Sequence, residues 1–245
     1  MEKQTKYLES AVVRFAGDSG DGMQLSGTQF SNTAGAQGND VNTFPDYPSE
    51  IRAPEGTLYG VSAYQLQFGS ISVNTPGSKI DVLVAMNASS LKVNLANVKD
   101  KGLLIVNTNG FDEKNLKLAK YDKSPLDDDT LNNYLLIKIN MVEEVKKVVE
   151  DLNMSVKNVE RTKNIFALGL TYWLFDKSTE PTEKWLNEKF GKKKDILESN
   201  LRALKAGYEY AKNFRSVRLS FQINFWEMTS LSRGFIYDKN FFKNS

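Results

Sequence analysis

The run Gly17-Asp18-Ser19-Gly20-Asp21-Gly22-Met23 is the part of this sequence best suited to chemistry. It leaves the apolar segment AVVRFAG, Ala11 to Gly17, and opens a helical pattern that starts at Met23. Glycines between a strand and a helix let the backbone turn sharply and let a bulky group approach it closely. The free N–H groups and partial positive charge of the helix start then favour an anion such as phosphate. The spacing is G-x-x-G-x-G, so it is neither the dinucleotide fingerprint G-x-G-x-x-G nor a P-loop with its Gly-Lys-Ser/Thr ending. Asp18 and Asp21 repel a phosphate unless they point outward or close local turns. The residues alone leave two readings open: an anion-binding loop and a structural tight turn.

Little else in the chain offers reactive groups. The 245 residues include no cysteine and no histidine. That excludes disulfides, thiolate-held iron–sulfur clusters, a cysteine nucleophile, a Ser-His-Asp triad and the common zinc sites. A carboxylate-only metal site or an acid–base carboxylate pair survives, yet no two acids stand at a readable spacing, so no catalytic or metal-binding residue is assigned. Glu50 and Arg52 share a face if Ser49 to Ala53 is extended, where a surface ion pair is favoured over a ligand contact. Asp127-Asp128-Asp129 lacks the spacing of a calcium loop and reads as a solvated acidic turn. Trp173, Trp185, Tyr208 and Tyr210 fall at helix-packing positions.

The elements that must hold the glycine loop alternate between strand and helix. Ala11 to Gly17 reads as a strand and Met23 to Gln37 as a helix, with Met23, Phe30 and Ala34 on one face. Pro45, Pro48 and Pro54 keep Val41 to Pro54 extended. Tyr59 to Ser72 reads as strand. IDVLVAM, Ile80 to Met86, is nearly continuous in branched apolar residues, the habit of a parallel strand buried on both faces. A helix over Ala88 to Val98 and a strand over Gly102 to Asn107 follow. Asn109 to Asn133 is polar and reads as a loop or insertion. Leu135 to Ile139 is again strand, Met141 to Leu152 helix, and helices fill Val159 to Phe175, Thr182 to Phe190 and Lys193 to Lys212. In the last, Leu197, Leu201, Leu204 and Tyr208 form one apolar stripe. This pattern predicts an α/β fold: a Rossmann-like, mostly parallel sheet with flanking helices and a helical C-terminal extension.

Phe214 to Ser245 departs from that pattern. These 32 residues hold eight aromatic side chains without a clean period of 2 or 3.6. We expect a domain over 1–213 and an atypical aromatic tail over 214–245, read as a poorly packed or truncated or frame-shifted end, or else as an anchor for a partner. Thirty-two basic against thirty acidic residues give +2, so charge offers no reason to expect nucleic acid or an anionic membrane. The N-terminus lacks the apolar core of a signal peptide, and the longest apolar-rich stretch, Ile165 to Phe175, is far shorter than the roughly 18–20 residues of a membrane span. The expectation is a cytoplasmic protein.

Several ordered segments carry a family resemblance. VVRFAGDSGDGMQLSG (Val12 to Gly27), FPDYPSEIRAPEGTLYGVSAYQLQFGS (Phe44 to Ser70) and TPGSKIDVLVAMN (Thr75 to Asn87) resemble the gamma domain of 2-oxoacid:acceptor (ferredoxin/flavodoxin) oxidoreductases. KNIFALGLTYWLF, EPTEKWLNEKFGKK and NLRALKAGYEYA, between Arg161 and Tyr210, resemble the helical end of the same domain. The likeness is strongest to the N-terminal part of the alpha subunit of 2-oxoglutarate:ferredoxin oxidoreductases and covers about Val12 to Lys212.

That resemblance implies a component of a complex that oxidatively decarboxylates a 2-oxo acid, 2-oxoglutarate before other acids, and forms an acyl-CoA. It implies that CoA lies near this domain, while thiamine diphosphate, magnesium and iron–sulfur clusters sit on partner domains and none is bound by this chain alone. The family's glycine–aspartate–glycine loop matches Gly20, Asp21 and Gly22. With Gly17, Ser19, Met23 and Gln24 beside them, these are the implied CoA-contacting residues. The implied partners are thiamine-binding and iron–sulfur subunits, with ferredoxin reached through the complex. The tyrosine–proline–isoleucine–threonine–proline motif that opens the family's thiamine-binding domain has no counterpart here, so the chain alone is expected to be inactive. The competing expectation is a non-catalytic nucleotide-binding or assembly module whose glycine loop is purely structural.

Overall fold

A computed structural model describes residues 4–47, 60–152, 154–213 and 219–223. The chain runs β1 (Gln4–Leu8), β2 (Ser10–Asp18), α1 (Met23–Ala36), β3 (Asp40–Asp46), β4 (Val61–Gly69) and β5 (Ile80–Ala85). It continues through α2 (Ala88–Asn94), β6 (Val98–Asn107), α3 (Glu113–Leu118), β7 (Leu135–Ile139) and α4 (Met141–Val149). The helical end comprises α5 (Val156–Leu174), α6 (Glu180–Phe190) and α7 (Lys194–Asn213), followed by β8 (Leu219–Ile223).

Six strands form one sheet in the order β3-β4-β2-β5-β6-β7. β2, β5, β6 and β7 pair in parallel, and β4 runs against both β2 and β3. The mostly parallel α/β sheet expected from the sequence is therefore present. Alternation along β2 divides its side chains between two cores. Val13 and Phe15 join Leu66, Phe68, Val82, Val84 and Ile105 under α1, α4, α5 and α7. Val12 and Ala16 join Ala63, Leu83, Ala85, Leu104 and Val106 under α2. Burial on both faces explains why β5 is apolar almost throughout, and why the apolar residues of β4 alternate only roughly: Ala63 faces one core, Leu66 and Phe68 the other.

Local signals set most helix ends. Asn87 accepts from the Ser90 N–H while Ser90 Oγ accepts from the Asn87 N–H, a reciprocal cap that starts α2. Ser155 caps α5, and Pro181 stands in the first turn of α6, where its missing N–H costs nothing. α5 and α7 cross with their backbones in near contact. A Cβ added at Gly169 would lie 2.0 Å from the Leu204 carbonyl oxygen, and one at Gly207 1.9 Å from that of Phe166. No other residue type fits at that crossing.

The structure corrects three expectations. α3 lies inside the polar stretch read as a loop; it is capped by Asp112 but buries none of its residues, so it carries no apolar stripe to read. The helix expected to reach Val98 ends at Asn94 and tightens into a 3₁₀ turn over Leu95–Asn97. β1 and β8 form a separate two-stranded parallel pair that the sequence pattern did not announce. Apart from 219–223, the aromatic tail lies outside the described residues, as do Glu50 and Arg52.

Candidate ligand-binding site

The glycine loop occupies the place where connections diverge. From β2 the chain crosses through α1 to the outer strand β3, and from β5 it crosses through α2 to β6 on the other side. α1 lies on one face of the sheet and α2 on the other. In open α/β sheets ligands bind in the crevice outside the carboxyl ends of the strands at such a switch point. A cavity of about 320 Å³ lies there, lined by Asp18, Ser19 and Gly20 from the loop and by Asn87 and Ser89 from the start of α2. Gly60, Asn115 and Leu118 complete its wall.

Backbone and side-chain bonds close the loop on itself. The Asp21 N–H donates to the Asp18 carbonyl at 3.0 Å, and the Asp18 N–H donates back to Asp21 Oδ2 at 3.0 Å. The Ser19 N–H donates to the Gly60 carbonyl at 3.1 Å. Asp21 Oδ1 meets Lys163 Nζ of α5 at 2.8 Å, with both side chains only 16% exposed. Gly22 then turns with φ at 74°, a left-handed conformation that favours glycine, and no side chain caps α1. Asn164 Nδ2 donates to the Gly22 carbonyl at 3.3 Å, and Ser26 Oγ donates to the Asn164 carbonyl. Two consecutive residues of α5 thus hold the two residues that lead into α1.

The two aspartates have different roles. Asp21 faces inward, with its charge met by Lys163. Asp18 remains at the crevice, where its Oδ1 accepts from Asn87 Nδ2 at 2.7 Å. Its carboxyl is held above the ordinary carboxylate value, chiefly by partial burial and next by the negative charge of Asp21; the Asn87 hydrogen bond and Lys163 pull the other way. The crevice therefore offers one carboxylate acceptor, the amides of Asn87 and Asn115 and the hydroxyls of Ser19 and Ser89, and its nearest cation, Lys163, is already paired. This chemistry suits amide and hydroxyl groups better than several phosphates.

Of the seven residues named from the sequence, Ser19 and Gly20 line the crevice. Gly17 lies beneath it, where a Cβ would come within 2.8 Å of Asp21 Oδ2, and Asp21 and Gly22 shape the turn. Met23 is buried in the core. Gln24 points to the β3–β4 edge, its Nε2 donating to the carbonyls of Ala63 and Asp46 and to Ser62 Oγ. The structure adds Asp18, Asn87, Ser89, Lys163 and Asn164. The Asn87-x-x-Ser90 cap after a buried strand is a signal that could have found Asn87 and, within the same turn, Ser89; nothing local marks Lys163 or Asn164. Away from the site, Asp128 Oδ1 accepts from the Thr130 N–H in an exposed acidic turn. Among the described residues, no group of three acidic side chains is placed to hold a metal.

A doubly covered, mostly parallel sheet with a crevice at its switch point defines an α/β domain of the doubly wound class. The family model for pyruvate ferredoxin/flavodoxin oxidoreductase matches residues 12–210, and the chain belongs to that family. It is 43% identical over 216 residues to the 2-oxoglutarate oxidoreductase subunit KorA of Mycobacterium tuberculosis (strain ATCC 25618 / H37Rv), covering 88% of this chain and 33% of that protein. It is 24% identical over 212 residues to the 2-oxoacid:ferredoxin oxidoreductase subunit alpha of a Sulfolobus species, covering 79% of this chain and 32% of the relative. The chain thus spans about a third of the length of these relatives.

Among solved structures, it resembles the 2-oxoglutarate:ferredoxin oxidoreductase of Magnetococcus marinus, solved with 2-oxoglutarate, coenzyme A and succinyl-CoA bound. The TM-score is 0.67 at 25% identity, over 89% of this chain and 33% of that one. The keto/oxoacid ferredoxin oxidoreductase gamma subunit of Geobacter sulfurreducens PCA shares the fold, with a TM-score of 0.57 at 22% identity over 82% of this chain and 96% of that one. No described helix is long and apolar enough to cross a membrane.

Proposed function

We propose that residues 1–213 are the gamma domain of a cytoplasmic 2-oxoacid:ferredoxin oxidoreductase, with 214–245 an appendage to it, and that its crevice positions coenzyme A. The 43% identity to a 2-oxoglutarate oxidoreductase subunit supports 2-oxoglutarate as the acid oxidised. The observation that carries the ligand reading is Gly20. Its φ lies outside the left-handed region, and a Cβ there would meet nothing within 4 Å. Neither the turn nor packing requires glycine at that position. It lines the crevice, so its missing side chain keeps the ligand's path open.

In this reading Asp18 accepts a hydrogen bond from an amide or hydroxyl of the pantetheine arm, and Asn87 and Ser89 bind its carbonyl and hydroxyl oxygens. The chain orients the arm so that the thiol faces the reacting acyl group, and it supplies no acid, base or nucleophile to the transfer. Thiamine diphosphate, its magnesium and the iron–sulfur clusters would be held by partner subunits and would supply the decarboxylation chemistry and the electron path to ferredoxin. The test is affinity purification of the tagged chain from its source organism, with an assay of 2-oxoglutarate- and CoA-dependent viologen reduction. The expected result is co-purification with thiamine-binding and cluster-bearing chains, activity in the complex and none in the chain alone. A chain that purifies without such partners contradicts the reading.

A further inference from the structure

A second cavity, of about 300 Å³, lies among α5, α6 and α7 behind the first turn of α1, and shares no lining residue with the crevice. Trp185 and Phe190 form an aromatic wall, their rings 6.1 Å apart and perpendicular. Asn164 lines the cavity and is only 5% exposed. Its Nδ2 is taken by the Gly22 carbonyl, while its Oδ1 accepts from no donor among the described residues. Its polar neighbours are already engaged: the Thr162 hydroxyl donates to the Asn158 carbonyl and Asn200 Nδ2 to that of Ile196. A buried carbonyl oxygen without a donor is costly to leave unmet.

Arg161 and Lys193 are exposed residues that also line this cavity, and among the described residues neither has an acidic partner within 4.0 Å. The cavity therefore combines an aromatic wall, one unmet acceptor and two free cations. Its size is at the lower end of small-ligand pockets.

We propose that this cavity binds a nucleoside phosphate. The planar base packs along the Trp185 wall, an amino or hydroxyl group donates to Asn164 Oδ1, and the phosphate pairs with Arg161 and Lys193. Two sources share this chemistry, a free nucleotide and the nucleotide end of coenzyme A. The second source rests on the function proposed above, and it complements the crevice, whose Asp18 carboxylate disfavours phosphates. Because Asn164 also holds the Gly22 carbonyl, an occupied cavity steadies the turn that shapes the crevice.

The test is calorimetric titration of the full chain with adenosine 3′,5′-bisphosphate and with AMP, in the wild type, an Arg161→Ala/Lys193→Ala double variant and a Gly20→Leu variant. Both cations are exposed, so the double variant is expected to keep its fold, which circular dichroism checks. The bisphosphate is expected to bind one-to-one, and the double variant to weaken it about tenfold or more. AMP binding as tightly assigns a free nucleotide; binding of the bisphosphate alone assigns the nucleotide end of coenzyme A. Absence of binding by both ligands, or an unchanged affinity in the double variant, overturns the proposal. Gly20→Leu tests the crevice separately: normal coenzyme A binding by that variant contradicts the crevice reading and leaves this cavity untouched.

Discussion

At the scale of residues, three glycines of one loop answer to different constraints. Gly22 combines a left-handed φ with a Cβ direction only 2.3 Å from Asn164 Nδ2. Gly22→Ala is therefore expected to cost about 1–3 kcal/mol in urea denaturation. Gly20→Ala, in open space with an ordinary φ, is expected to stay within about 0.5 kcal/mol of the wild type. Equal losses at the two positions would contradict this division. Asp18 predicts a pH dependence. Its folded-state pKa is raised above 3.8, so between that raised value and 3.8 the folded chain holds a proton that the unfolded chain has released. Stability contributed by this group therefore rises as pH falls through the window and is lost above it. Denaturation across pH should show that Asp18→Asn removes this component and stabilises the chain at neutral pH. In the sequence, the loop's glycines and its place between strand and helix were legible. That Asp21 turns inward was not, because its partner Lys163 is 142 positions away and nothing near Asp21 announces it.

At the scale of elements, the helical end acts as the loop's support. α5 presents Lys163 and Asn164 to the loop and is itself seated on α7 through the Gly169 and Gly207 crossing. Gly207→Ala pushes a methyl group into the Phe166 carbonyl and must part the two helices, at a cost of about 1–3 kcal/mol. Thermal denaturation should show a lowered midpoint, whereas an unchanged midpoint would mean that the helices do not need this close approach. The sequence reading found α1, α2, α4, α5, α6 and α7, with an apolar face explicit in α1 and α7, because each buries residues against the sheet or its neighbours. It missed α3, which buries none of its residues, and β1, whose partner β8 lies more than 200 residues further along. Elements held by distant pairing leave a weaker local trace than elements held by an apolar face.

At the scale of the whole molecule, the missing histidine and cysteine become intelligible. Under the proposed function, a domain that orients a ligand through amides, hydroxyls and one carboxylate needs neither imidazole nor thiol, and that proposal assigns the reactive groups to partners. The chain corresponds to about a third of its longer relatives, and the crevice opens where the sheet's connections diverge. The central claim is that this crevice holds coenzyme A. It is tested most directly by calorimetric titration of coenzyme A into the full chain and its Gly20→Leu variant, with melting curves of both. We predict binding to the wild type, affinity reduced about tenfold or more in the variant, and little change in melting temperature. Equal affinity in the two proteins, or no binding to the wild type, would contradict the claim.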